Sequence, residues 1–230
     1  MAELIVALDV PDTTTLPDTL QTLQMVDYFK VGLELYTAEG HTALDILKEE
    51  NKRIFLDLKL HDIPKTVENA VKSAAKLGVN LLTIHACGGS EMLKAAANAA
   101  KESGPDAPKI IAVTTLTSLN ESDFTDLGIQ RSLKEQALKL GEMALNAGID
   151  GLVTSVLEAP ELRQRFGPDP LLITPGIRPG GKTDDDQKRI ATPAGAVQAG
   201  SSYLVVGRPI MHADDPASAA SAILEEIKGA

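Results

Sequence analysis

The stretch "RIFLDLKLHDIPKTVENAVKSAAKLGVNLLTIHA", residues 53–86, holds one complete strand–helix–strand unit. "RIFLDLKL" (53–60) has strand length, with Phe55, Leu56, Leu58 and Leu60 as its apolar body. "TVENAVKSAAKLG" (66–78) sets Val67, Val71, Ala74, Ala75 and Leu77 near one helical face. It stops at Gly78, and glycine is the usual residue just past a helix end. "LLTIHA" (81–86) is a second apolar β run. Strands separated by a helix in this way lie parallel in one sheet.

The same alternation fills the chain on either side. Further β runs are "LIVALDV" (4–10), "YFKVG" (28–32), "KIIAVTTL" (109–116), "GLVTS" (151–155), "LLITPGI" (171–177) and "YLVVGRPI" (203–210). "SLKEQALKLGEMALNAG" repeats Leu133, Ala137, Leu140, Ala144 and Leu145 at helical spacing and stops at Gly148. "DPASAASAILEEIKG" closes the chain as a helix, with Asp215 as its cap before Pro216. Eight strands alternating with about eight helices, with no linker or low-complexity tract, predict a single-domain (β/α)8 TIM barrel over residues 1–230. An open doubly wound sheet is the alternative. Its dinucleotide-binding form carries a glycine fingerprint after the first strand, and "LDVPDTTT" has none.

Composition narrows the function. Of the 230 residues, 43% are hydrophobic and 23% charged, as in ordinary globular proteins. Scarce aromatics and the absence of Trp do not suit stacking along a nucleic-acid strand. The net charge of −10 leaves no global basic footprint for nucleic acid or an anionic membrane. An anionic small molecule would therefore need a local basic site. Cys87 is the only cysteine, so no intrachain disulfide can form, which suits a reducing compartment. There is no basic leader before "ELIVALDV", and no apolar run approaches the ~20 residues of a membrane helix. The expected location is the cytoplasm.

A barrel also predicts where its chemistry lies. Catalytic groups sit at the C-terminal strand ends, and a phosphate site follows strands seven and eight. The charges in otherwise apolar strands are Asp9, Lys30, Asp57 and Lys59, each near a C-terminal end. Alternation sends Asp57 and Lys59 to one face and Leu56, Leu58 and Leu60 to the helices. Asp62 follows the strand, just before Pro64. Two carboxylates and two amines converging at one end neutralise each other. A salt-bridge network that merely closes the barrel is the structural alternative, although apolar residues often do that as well. Beyond strand seven, "GIRPGGK" (176–182) combines backbone freedom with two cations. Gly207 and Arg208 leave strand eight in the same manner. Glycine admits a phosphate close to backbone N–H groups, and Arg binds its oxygens in bidentate fashion.

"FLDLKLHDIPKTV" closely resembles the signature of the orotidine 5′-phosphate decarboxylase family. The likeness runs the whole chain through "LIVALDV", "FKVGLEL", "VTTLTS", "TPGIRPGG" with a downstream Gln, and "VVGRPI". It implies a cofactor-independent, metal-free decarboxylation of orotidine 5′-phosphate to UMP and CO2. It further implies a Lys30–Asp57–Lys59–Asp62 charge array, with Lys59 as proton donor and Asp62 supplied to the neighbouring subunit of a homodimer. By the same resemblance Lys30 and Asp9 contact the ribose, and Thr117 the pyrimidine. The resemblance also implies phosphate binding by Arg178, Gln187, Gly207 and Arg208, and the polar, glycine-containing "RPGGKTDDDQKR" is expected to form a mobile phosphate-closing loop around 177–190. Thr66 matches a substrate-contacting position, but equally suits the start of the following helix. Lys65 departs from the family, which usually has Asn there. His85 is expected to face inward as a hydrogen-bonding support, and Cys87 to be a small packed residue. Two other readings remain: a magnesium-dependent sugar-phosphate decarboxylase or aldolase of the same superfamily, and a noncatalytic phosphate-ligand binding barrel. "VTTLTS" and "DLKLHDIPKT" favour the orotidine 5′-phosphate decarboxylase reading over both.

Overall fold

A computed structural model describes residues 2–181 and 190–230. Eight strands, β1 (Glu3–Leu8), β2 (Tyr28–Gly32), β3 (Arg53–Leu60), β4 (Leu81–His85), β5 (Lys109–Val113), β6 (Gly151–Val153), β7 (Leu171–Thr174) and β8 (Tyr203–Val206), form one closed, all-parallel barrel. Closure is made by β1, which pairs with β2 on one side and β8 on the other. The expected (β/α)8 barrel is therefore the observed fold, and the open sheet is not.

Strand periodicity divides the core into two shells. Ile5, Ala7, Tyr28, Phe55, Leu81, Ile111, Ile173 and Val205 point inward and fill the barrel. Their alternates, including Val6, Leu8, Phe29, Val31, Leu56 and Leu82, pack outward against the helices. A parallel sheet covered on both faces needs this near-continuous apolar run.

The helices are α1 (Leu16–Thr22), α2 (Leu33–Glu39), α3 (His41–Glu49), α4 (Pro64–Ala75), α5 (Ser90–Glu102), α6 (Glu121–Asp126), α7 (Leu133–Asn146), α8 (Ala159–Phe166), α9 (Pro193–Gln198), α10 (Arg208–Met211) and α11 (Pro216–Lys228). Their signals are local. Pro64 opens α4, which buries Val67, Val71 and Ala74. Ser132 and Glu135 form a reciprocal capping box on α7, and Asp215 caps α11 through the Ser218 N–H. Eleven α-helices among the described residues exceed the expected eight or so. Gly40, at φ 56°, splits the β2–β3 connection into α2 and α3, while short α6 and α10 precede the packing helices after β5 and β8.

The strands also stop short of several apolar runs: β1 at Leu8, β5 at Val113, β7 at Thr174 and β8 at Val206. Thr114, Thr115, Ile177 and Ile210 stay buried beyond those ends. Burial continues into the mouth loops after ladder pairing has ceased, so hydrophobicity alone overstates strand length.

The opposite end is plugged. The Arg53 guanidinium lies 4.5 Å from the Tyr28 ring centre and pairs with Glu3. Tyr28 meets Tyr203 edge-on at 5.6 Å. Nearby, Arg163 donates to the carbonyls of Gly200, Gly167, Pro168 and Pro170 and to Ser202 Oγ. No helix among the described residues is long and apolar enough to cross a membrane.

Candidate active site

At the C-terminal mouth a cavity of about 310 Å³ is lined by inward side chains of the strands and by the loops that follow them. That is the lower end of the size range of small-ligand sites. Asp9 stands one residue beyond β1, Lys30 on β2, and Asp57 and Lys59 on β3, and all four line the cavity. They form a chain of alternating charge. Lys30 Nζ lies 2.7 Å from Asp9 Oδ1 and 3.7 Å from Asp57 Oδ2, and Lys59 Nζ donates to the same Asp57 Oδ2 at 2.8 Å. The four formal charges sum to zero. Burial pushes the Asp57 carboxyl up, but Lys59 and Lys30, with hydrogen bonds from Lys59 and Thr83, outweigh it and hold the group below the usual carboxylate range.

β3 does not keep the simple alternation read from its sequence. Its register against β4 runs from Leu56↔Leu82 to Leu60↔Ile84, so four steps on one strand face two on the other. The irregularity holds Lys59 at φ 50°, a left-handed backbone uncommon for a side-chain-bearing residue. Its N–H bonds to Thr83 Oγ1 at 2.8 Å, and Thr83 Oγ1 donates to Asp57 Oδ1 at 2.9 Å. Gly32, at the end of β2, borders the pair between β1 and β2. A Cβ there would sit 2.7 Å from Lys30 Nζ and 3.3 Å from Asp9 Oδ1. Sequence reasoning named neither Thr83 nor Gly32. The available signals were a polar residue at an inward position of "LLTIHA" and a glycine ending a strand.

The rest of the cavity lining includes Thr117 after β5, Gly176 and Arg178 after β7, and Gly207 and Arg208 after β8, the strand next to β1, where a Cβ on Gly207 would sit 3.6 Å from Asp9 Oδ2. Gly176 is left-handed at φ 78°. Arg178 is buried, and its N–H bonds to Ala191 O while Ala191 N–H returns to Gly176 O. Cations and flexible backbone thus meet at the side of the mouth where a barrel binds phosphate.

Other expected positions fall elsewhere. Asp62 is exposed outside the cavity wall, and its Oδ1 accepts the Ile63 N–H at 2.6 Å. The chain has already left the barrel there to enter α4. Thr66 is exposed on the first turn of α4, also outside the wall, and α4 has no side-chain cap. Lys65 pairs with Glu68 at 2.9 Å. His85 is half-buried with its ring 5.5 Å from that of His61, and does not line the cavity. Cys87 is exposed rather than packed, because it falls in the short 3-10 turn after β4, 3.9 Å from His61 Nε2. Partial desolvation pushes its thiol up, away from nucleophilic character. Gln187 and most of the loop expected around 177–190 lie outside the described residues.

The family model described as orotidine 5′-phosphate decarboxylase / HUMPS matches residues 2–223. An orotidine 5′-phosphate decarboxylase of Moorella thermoacetica is 46% identical over 98% of this chain and 92% of its own length. One from Nostoc sp. is 48% identical over 98% of this chain and 97% of its own. The crystal structure of the Lactobacillus acidophilus orotidine 5′-phosphate decarboxylase superposes with a TM-score of 0.87 at 40% identity, covering 99% of each chain.

Proposed function

The chain belongs to the orotidine 5′-phosphate decarboxylase / HUMPS family, and from that premise we propose that it converts orotidine 5′-phosphate to UMP and CO2 in pyrimidine biosynthesis. The observation that carries this reading is the Asp9–Lys30–Asp57–Lys59 chain at a mouth that also holds Arg178, Gly207 and Arg208. Loss of CO2 leaves an electron pair in the plane of the pyrimidine, where the ring π system does not absorb it directly. Fixed charge and a proton meet that demand. The Lys59 ammonium faces the developing carbanion, stabilises it and then protonates the ring carbon that held the carboxylate. Asp57 aims Lys59, and its negative charge opposes the substrate carboxylate until that group leaves as neutral CO2. Lys30 and Asp9 take the ribose hydroxyls, Thr117 the pyrimidine, and Arg178, Gly207, Arg208 and Gln187 the phosphate.

Asp62 and Thr66 are assigned to the site of a second copy in a homodimer. Their exposure at the start of α4 suits donation outward better than service to their own cavity. No metal or organic cofactor enters this mechanism. The sugar-phosphate alternative would use magnesium, but both Asp57 oxygens are already engaged, Oδ2 by Lys59 and Oδ1 by Thr83.

The test follows loss of orotidine 5′-phosphate absorbance in chelator-treated buffer. The wild type is expected to turn over, and Lys59→Ala to lose about 1,000-fold or more in kcat while still binding UMP. Metal-dependent turnover, or undiminished turnover by the variant, defeats the reading.

A further inference from the structure

We propose that Thr83 is a positioning residue for Lys59, one buried hydroxyl fixing both the backbone of the proton donor and the carboxylate that aims its ammonium. The inference rests on the role assigned to Lys59 above and adds the device that makes that role geometrically definite.

A hydroxyl has one proton to give. Thr83 gives it to Asp57 Oδ1 at 2.9 Å and receives the Lys59 backbone N–H at 2.8 Å. Asp57 Oδ2 then holds Lys59 Nζ at 2.8 Å. Lys59 is therefore gripped at both ends of its side chain, and the two grips are joined through a single oxygen. The irregular β3–β4 register is the reason this is needed. Between Leu56 and Leu60 the regular pairing of β3 with β4 breaks, so the Lys59 N–H meets a side chain instead of a strand carbonyl. Without that acceptor, the left-handed φ of 50° at Lys59 would lose its anchor. Thr83 is fully buried, between apolar Leu82 and Ile84 of β4, where valine fills nearly the same volume. Packing alone gives no reason for a hydroxyl there. The titratable groups around the Thr83, Asp57 and Lys59 trio are Lys30 on β2 with Asp9 beside it, and His85 on β4 with His61, while on the β5 side Thr83 is paired with apolar Ile111.

Steady-state kinetics of Thr83→Val and Thr83→Ser test the proposal. Valine should lower kcat by about 100-fold, the cost of misplacing a reacting group by an ångström, and change KM by less than about threefold. Serine should restore kcat to within about threefold of wild type. The acid limb of the pH profile should move to higher pH in Thr83→Val, because Asp57 loses a donor that favours its ionised form. Full activity in Thr83→Val, or equal impairment in Thr83→Ser, overturns the proposal. Should valine prevent folding, Thr83→Ser against Thr83→Ala isolates the same hydroxyl, and equal rates overturn it. If the wild type itself does not consume orotidine 5′-phosphate, the functional reading fails separately. The positioning role is then read without substrate, from carboxyl 13C shifts: Asp57 must titrate higher in Thr83→Val, and an unmoved titration overturns it.

Discussion

At Gly32 the fold leaves no room for a side chain, because the space is filled by the tip of Lys30 and the Asp9 carboxylate. The crowded atom is the end of a flexible chain, so Gly32→Ala should fold, costing less than about 1 kcal/mol in denaturant melts. Its kcat/KM should still drop about tenfold or more, since the Lys30 ammonium must move off Asp9. His85 carries a different signature. Burial, with His61 and Lys59, pushes its imidazole below the ordinary value, partly offset by Asp57. The unfolded chain therefore binds a proton that the folded chain resists, and stability falls as pH drops below about 6.5 through the lowered value. Asp57 has the same sign at lower pH, its stabilisation present above the unfolded carboxyl value of about 3.9 and lost as pH falls through its depressed one. Thermal melts from pH 7 to 5 should accordingly decline less steeply in His85→Asn than in wild type. The mouth charges were legible because each is a charged residue near the C-terminal end of an otherwise apolar strand run, which needs only one strand to be read. Thr83 and Gly32 were not, because their meaning lies in atoms of other strands.

Among elements, β3 shows where reading a sequence reaches its limit. Its length, its apolar face and the inward pair Asp57 and Lys59 follow from the spacing of "RIFLDLKL". The shifted register does not, since it exists only against β4. The phosphate-side loops were legible for another reason: glycine and arginine after two successive strands are informative once the barrel fixes where those strands end. Arg208, the first residue of α10, should separate binding modes. Arg208→Ala is expected to lower kcat/KM for the phosphorylated substrate by about 100-fold and for the bare nucleoside by less than about threefold. Equal losses would remove it from the phosphate site. On the opposite face, Arg163 ties the connection after α8 to the start of β8 through four carbonyls and Ser202. Arg163→Ala should destabilise the fold by about 2 kcal/mol and leave kcat unchanged.

In the whole molecule these effects separate by end. One end of the barrel carries the charge chain, and the other is closed by Arg53, Tyr28, Tyr203 and Glu3. Tyr203 and Gly207 lie four residues apart on the β8 path, about 13 Å of strand. Tyr203→Ala should thus lower stability by about 2–3 kcal/mol with kcat/KM per folded molecule unchanged, measured by melts beside initial rates. The hydroxyl that joins β3 to β4 has a consequence for recombination. Shuffled barrels assembled from two parents tolerate a crossover best where few paired interactions are divided. A crossover between residues 60 and 83 would draw Asp57 and Lys59 from one parent and their shared hydroxyl from another, whereas one placed after His85 inherits the trio intact. Chimeras of this chain with relatives should sort by that boundary, and those cut inside it should fold yet turn over slowly.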